Sequence, residues 1–284
     1  MPDVKANSGL LGSTKVHVDD TGGSGRPVVL IHGWPLSGES WQAQTPALQE
    51  AGYRVVAYDR RGFGRSDKPR GGYDYDTLAE DLDGVLSELE LQDATLVGFS
   101  MGGGEVARYV SKYGEERLRS VVFAAAVPPY MMQTDDNPEG PLTKEQAGQM
   151  TADLTEDRTA FFDQFTTQFF SVDGELQVTE EQRQDAIALC HQSDEGAALK
   201  CMESFGTEDF RDCRTSPSRR LCCTATAMAR CRSRVPARAR TRRSRRASSS
   251  SSRTHRTAAT SAMPTSSTPL CSSSSPSSRV SGWT

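Results

Sequence analysis

No run of twenty apolar residues occurs anywhere in these 284 residues, which excludes a membrane-spanning helix. The first residues, Met1 to Asn7, carry neither the basic start nor the apolar centre of a secretory signal, so the expected location is the cytoplasm. The seven cysteines follow no zinc spacing and no disulfide framework, and no internal repeat is visible. A further absence is local. After Asp212 the chain has no Asp, Glu, Lys, Asn, Gln, Ile, Phe or Tyr, and a single histidine, His255.

That local absence splits the charge. Residues 213–284 hold 15 Arg and no acid, so the remaining 18 Lys and Arg face 37 Asp and Glu upstream. The overall −4 is therefore a body of −19 and a tail of +15. A body this acidic is well solvated and repels nucleic acid and anionic membranes.

What is present in the body alternates between strand and helix signals. Thr14 to Val18, Pro27 to Ile31, Tyr53 to Tyr58, Ala94 to Val97 and Leu118 to Ala126 read as strands. Between them Ser40 to Ala51, Thr77 to Glu90 and Gly102 to Tyr113 carry helical spacing, and Gly52 and Gly114 are end signals. The expected fold is α/β, a mostly parallel sheet with helices on both faces. From Pro128 to about Phe210 the strand signal disappears, and amphipathic pieces such as Thr159 to Phe170 and Glu180 to Leu189 predict a helical lid. The expected organisation is a sheet core over 10–127, the lid over 128–212 and a tail over 213–284.

The chemistry concentrates where the Ala94 to Val97 strand ends, in Gly98-Phe99-Ser100-Met101-Gly102. A serine hydroxyl is a weak nucleophile at neutral pH, so it needs exposure, a base and donors for the oxyanion. Gly98 and Gly102 remove side chains where strand and helix meet, and the helix start near Gly102 adds a positive dipole end. Ser100 is the candidate nucleophile and the Met101 backbone N–H the first oxyanion donor. The loop His32-Gly33-Trp34-Pro35 follows a buried strand, and the Trp34 backbone N–H is the candidate second donor. His32 and Gly33 are read as shaping that loop. Asp59 to Asp67 reads as a structural turn and His191 as an ordinary lid histidine. No metal or cofactor is called for.

Taken together, His32 to Pro35, Tyr58 to Ser66 and Val97 to Glu105 resemble the cofactor-free (non-haem) haloperoxidase, perhydrolase and arylesterase group of α/β-hydrolases, over roughly residues 10–212. The resemblance implies an α/β-hydrolase fold and acyl transfer at Ser100. Its substrates would be small esters, or a carboxylic acid with peroxide. It leaves homo-oligomerisation open.

The family also implies a His-Gly-Asp-x-Asp loop supplying the triad acid and, some 30 residues later, a Pro-His-Gly loop supplying the base. Neither is in this chain, so the last strands and the final helix are expected to be missing. Lys, Asn, Ile, Phe and Tyr need codons rich in A or T, so their joint absence from the tail suggests G/C-rich DNA read out of frame. Regrouping each third base with the next two, under permitted codon choices, turns Ser218 to Ser233 into a segment with His-Gly-Asp-Gly-Asp followed by Val-Pro-Phe-Glu. The same offset turns Ser252 to Cys271 into one containing Asp-Ala-Pro-His-Gly. The acid then spans the codons of Ala227 and Met228 and the base those of Arg256 and Thr257, 29 codons apart. On this reading the chain as written keeps its nucleophile, lacks its activating groups and has a disordered tail. The competing reading is a catalytically dead body whose Arg- and Ser-rich tail binds RNA or another polyanion.

Overall fold

The computed structural model describes residues 4–6, 14–213 and 221–223. All of them fall within one compact unit. The N-terminal edge of the expected core, 10–13, and most of the tail, 214–220 and 224–284, lie outside the described residues.

Strands β1 (Val4–Ala6) and β2 (Thr14–Val16) form an antiparallel pair. The main sheet is built from β3 (Val18–Asp20), β4 (Pro27–Ile31), β5 (Arg54–Tyr58), β6 (Ala94–Phe99), β7 (Leu118–Ala124) and a short edge strand, Leu221–Cys223. From the Leu221–Cys223 edge its order is β7, β6, β4, β5, β3, and every pair is parallel except β3 with β5. The buried Val, Leu and Ile runs of β4 and β5 suit strands covered on both faces. Along β4, Val29 and Ile31 face the larger core and Val28 and Leu30 the smaller one beneath Trp41 and Leu48, as a period of two requires.

Helices α1 (Thr45–Glu50), α2 (Tyr75–Glu88) and α3 (Met101–Tyr113) connect these strands. The single helix expected over Ser40 to Ala51 is two pieces, a 3₁₀ turn at Gly38–Trp41 and then α1. Pro46 accounts for the break, because inside a continuous helix its ring would clash with the Gln42 carbonyl, whereas the first turn of α1 tolerates it. Helix α2 begins two residues earlier than Thr77, since the Asp74 side chain accepts from the Thr77 N–H and caps it at 2.9 Å. Strand β7 stops at Ala124, short of Ala126, where Ala125 turns to φ +44°.

After β7 the chain forms α4 (Lys144–Glu156), α5 (Arg158–Phe169), α6 (Glu180–His191) and α7 (Glu195–Thr207). Thr143 with Gln146 and Thr179 with Gln182 make capping boxes at the starts of α4 and α6. A strand pair too short for sequence periodicity to register, β8 (Ser171–Val172) with β9 (Glu175–Leu176), interrupts the helices. The remaining difference is β10 (Leu221–Cys223), which adds a parallel sheet edge inside the segment that the sequence reading left out of the fold. Strand pairing is a backbone property, so three residues can join an edge whatever side chains they carry.

Candidate active site

The sheet order reverses at β4, which lies between β5 and β6, and Ile31 at the end of β4 pairs with Gly98 on β6. Such a switch point opens a crevice at the carboxyl ends of two neighbouring strands. The loop beginning at His32 and the turn at Ser100 both leave the sheet there.

Ser100 has φ +51° and ψ −118°, a conformation that side chains other than glycine rarely adopt. Its side chain makes no capping bond to α3 and is half-buried, so the hydroxyl is not spent on the helix end. Backbone bonds hold the turn: Ser100 N–H donates to the Ala124 carbonyl at 3.0 Å, and the Ser100 carbonyl accepts from Gly103 at 3.0 Å and Val127 at 3.1 Å. A Cβ on Gly98 would come within 2.5 Å of the Gly102 carbonyl oxygen, and one on Gly102 within 2.6 Å of the Ile31 carbonyl oxygen. Both glycines are therefore required by close approach of strand and helix.

Met101 is the first residue of α3, so its N–H belongs to the helical donors without an intrahelical partner. The β4 loop reaches the same point, since a Cβ on Gly33 would lie 3.2 Å from Ser100 Cβ. The structure thus brings together Gly33, Trp34, Gly98, Ser100, Met101 and Gly102.

His32 is fully buried. Its Nδ1–H donates to the Gly33 carbonyl at 2.8 Å and its Nε2 accepts from the Arg60 N–H at 2.9 Å. Burial first, and the Arg60 charge second, push its pKa down to about 3. A neutral imidazole with both nitrogens engaged has no free site for a serine proton. His191 ends α6, exposed, with its ring edge-on to Phe162 at 5.3 Å. His17 lies between β2 and β3 against Asp19 at 3.2 Å. None of the three described histidines hydrogen-bonds to Ser100; His255 lies outside the described residues.

Sequence reasoning missed two groups of neighbours. The Trp34 ring meets Phe161 and Phe165 of α5 and Phe205 of α7 edge-on, with centroids 5.5 to 6.1 Å apart. Those partners lie more than 120 residues away, beyond any local pattern. The second group is ionic. Asp59 accepts from Gly38 N–H and Arg65 N–H, each at 2.8 Å, while Arg61 makes a two-pronged pair with Asp81. Arg60 Nε donates 2.9 Å to Glu105 Oε2, and both side chains are buried. Burial pushes the Glu105 carboxyl well above the usual carboxylate range and the Arg60 guanidinium down. Tyr58 O–H donates to the other oxygen of Glu105. The Asp59 to Asp67 turn is thus a knot of internal bonds.

Among the described residues no helix is long and apolar enough to cross a membrane. The sequence matches the family described as alpha/beta hydrolase fold over residues 26–222. It is 43% identical over 192 residues to the non-heme chloroperoxidase CPO-A1 of Kitasatospora aureofaciens, spanning 67% of this chain and 69% of that protein. Over 155 residues it is 43% identical to a bifunctional esterase/perhydrolase of Acinetobacter calcoaceticus, spanning 53% of this chain and 56% of that protein. The solved bromoperoxidase from Bacillus anthracis superposes with a TM-score of 0.70 at 48% identity, over 74% of this chain and 75% of that one. Sheet order, the turn at Ser100 and sequence likeness agree: this chain belongs to the alpha/beta hydrolase fold family, in the group of the non-heme haloperoxidases.

Proposed function

We propose that the body is a serine hydrolase for carboxylic esters in which Ser100 Oγ attacks the acyl carbonyl while the backbone N–H groups of Met101 and Trp34 hold the oxyanion. The observation that carries this reading is the turn at Ser100, with its positive φ, its uncommitted side chain and two glycines that admit no side chain. The attack forms a bond from Oγ to the acyl carbon and breaks the ester's bond from that carbon to the alkoxy oxygen, while a base takes the serine proton and hands it to the departing alcohol. Water then yields the acid, and hydrogen peroxide in its place yields a peracid, the chemistry named for the esterase/perhydrolase relative.

The base and the acid that orients it are lost from the chain as written, because its codons beyond about 212 are read out of frame. Two observations support this. Both ring nitrogens of His32 are engaged, and neither His17 nor His191 hydrogen-bonds to Ser100. In addition β10 runs parallel to β7 with Cys223 level with Phe123, which is itself level with Gly98, and the codons of Ala227 and Met228 come four residues further along the sequence. That is the order strand, short loop, acid that the family implies. The domain reading follows from it: a core over 10–127, a lid over 128–212 and an out-of-frame tail over 213–284, of which Leu221–Cys223 pairs with β7.

Sequencing the encoding DNA around codon 212 tests the frame, and an uninterrupted frame in independent clones would overturn it. A p-nitrophenyl acetate assay tests the activity. Turnover close to background is expected, and fast turnover abolished by Ser100→Ala would overturn the loss of the triad. The polyanion-binding alternative rests on Arg residues outside the described ones. Salt-sensitive RNA binding lost on deleting 213–284 would favour it.

A further inference from the structure

A single buried guanidinium lies where the two segments bearing the proposed oxyanion donors meet. Arg60, two residues after β5, is 1% exposed. On one side its Nε donates 2.9 Å to Glu105 Oε2. Glu105 sits four residues, about one helical turn, beyond Met101 on α3. On the other side Arg60 Nη2 donates 2.9 Å to the His32 carbonyl, and its backbone N–H donates 2.9 Å to His32 Nε2. His32 continues the chain of bonds through Nδ1–H to the Gly33 carbonyl, the peptide that precedes Trp34. The same Gly33 carbonyl accepts from Leu36 N–H at 3.0 Å, which closes the loop on itself.

Stability alone does not account for this arrangement. Well-packed apolar residues of equal volume often replace a buried ion pair without loss. What a guanidinium supplies and an apolar group does not is a rigid planar fork that fixes two acceptors at a set separation. Here one acceptor belongs to the nucleophile helix and the other to the β4 loop. A Cβ on Gly102 would lie 3.0 Å from the His32 carbonyl oxygen, so the two segments are also in direct backbone contact at this level.

We infer that Arg60 is a positioning residue that sets the separation of the Trp34 and Met101 backbone N–H groups, by holding the loop after β4 and the first turns of α3 on one fork. The inference rests on the oxyanion role proposed for those two groups, but its test does not need turnover. Lysine, a point charge with one nitrogen, cannot hold both acceptors at Arg60's spacing.

The test is amide hydrogen exchange, with two-dimensional ¹H–¹⁵N spectra, on the full chain and on Arg60→Lys and Glu105→Gln. A volume-filling double variant, Arg60→Met with Glu105→Leu, guards against a single variant that fails to fold. The expected result is exchange at least fivefold faster at both 31–36 and 99–104 relative to α6, with the Trp34 and Met101 amide resonances displaced together in every variant that folds. A role in stability alone would speed exchange at all three places in proportion. Proportional acceleration, or a response at only one of the two segments, overturns the inference. Ser100 acylation enters neither outcome, so failure of the proposed reaction and failure of the fork are read separately.

Discussion

The Trp34 indole N–H donates 2.9 Å to the Ala198 carbonyl, tying the loop after β4 to helix α7 across 164 residues of sequence. Helix α7 is therefore fastened to the loop after β4 by the side chain of the residue whose backbone is proposed to act in the candidate site. Trp34→Phe keeps much of the aromatic packing and removes this bond alone, since the Ala198 carbonyl inside α7 keeps its helical partner, a loss of about 0.5–1.5 kcal/mol. Trp34→Ala also empties the space among Phe161, Phe165 and Phe205, for about 3–5 kcal/mol. Urea midpoints at constant m-value measure both, and an unchanged midpoint in Trp34→Phe would show that the hydrogen bond contributes nothing.

Ser100 pays for its conformation, so Ser100→Gly should be more stable than Ser100→Ala by about 1–2 kcal/mol. Alanine keeps the Cβ that disfavours φ +51°, and glycine removes it. Denaturant titration of the two variants side by side gives the difference, and alanine at or above glycine would remove strain from the account of the turn.

Gly98→Ala and Gly102→Ala place a Cβ against backbone atoms, which cannot swing aside as a side chain can. Each should lower stability by about 1–3 kcal/mol or more, and lower the yield of soluble protein. Gly148→Ala, in open space on α4, is the control and should be neutral or slightly stabilising. Thermal unfolding of the three variants separates these cases.

His32 makes stability fall in acid. Unfolded, it binds a proton below about pH 6.5; folded, it does so only below about pH 3. Between those values the unfolded chain holds more protons, so the contribution of His32 is fully present above pH 6.5 and is lost progressively as pH drops toward 3. The displacement corresponds to roughly 4–5 kcal/mol over that window. Stability measured from pH 7 to pH 4 should be flatter in His32→Gln than in the parent, whatever the offset between them. Parallel curves would mean that His32 is not held neutral.

Strands β4 to β7 were legible because each is a short apolar run bounded by turn residues, and the turn at Ser100 because Gly98 and Gly102 mark it in sequence. Helices α5 and α6 were legible as helical stretches, yet nothing local tells that Phe161 and Phe205 converge on Trp34. The bonds from Arg60 to Glu105, 45 positions apart, were equally hidden, since a charged residue in sequence does not disclose whether it faces water or a buried partner. The break before α1 was readable from Pro46 and was passed over in favour of apolar spacing. Leu221–Cys223 as a strand could not be read from a tail whose composition points away from a fold.

Turnover of p-nitrophenyl acetate by two proteins, the chain as written and one expressed from the gene with its frame restored after codon 212, tests the central claim most directly. The account predicts that the restored protein turns over and that Ser100→Ala abolishes its activity. The chain as written should be slower by on the order of 10³-fold or more, retaining at most what an oxyanion hole alone supplies. Comparable turnover by the chain as written, or an inactive but folded restored protein, would contradict it.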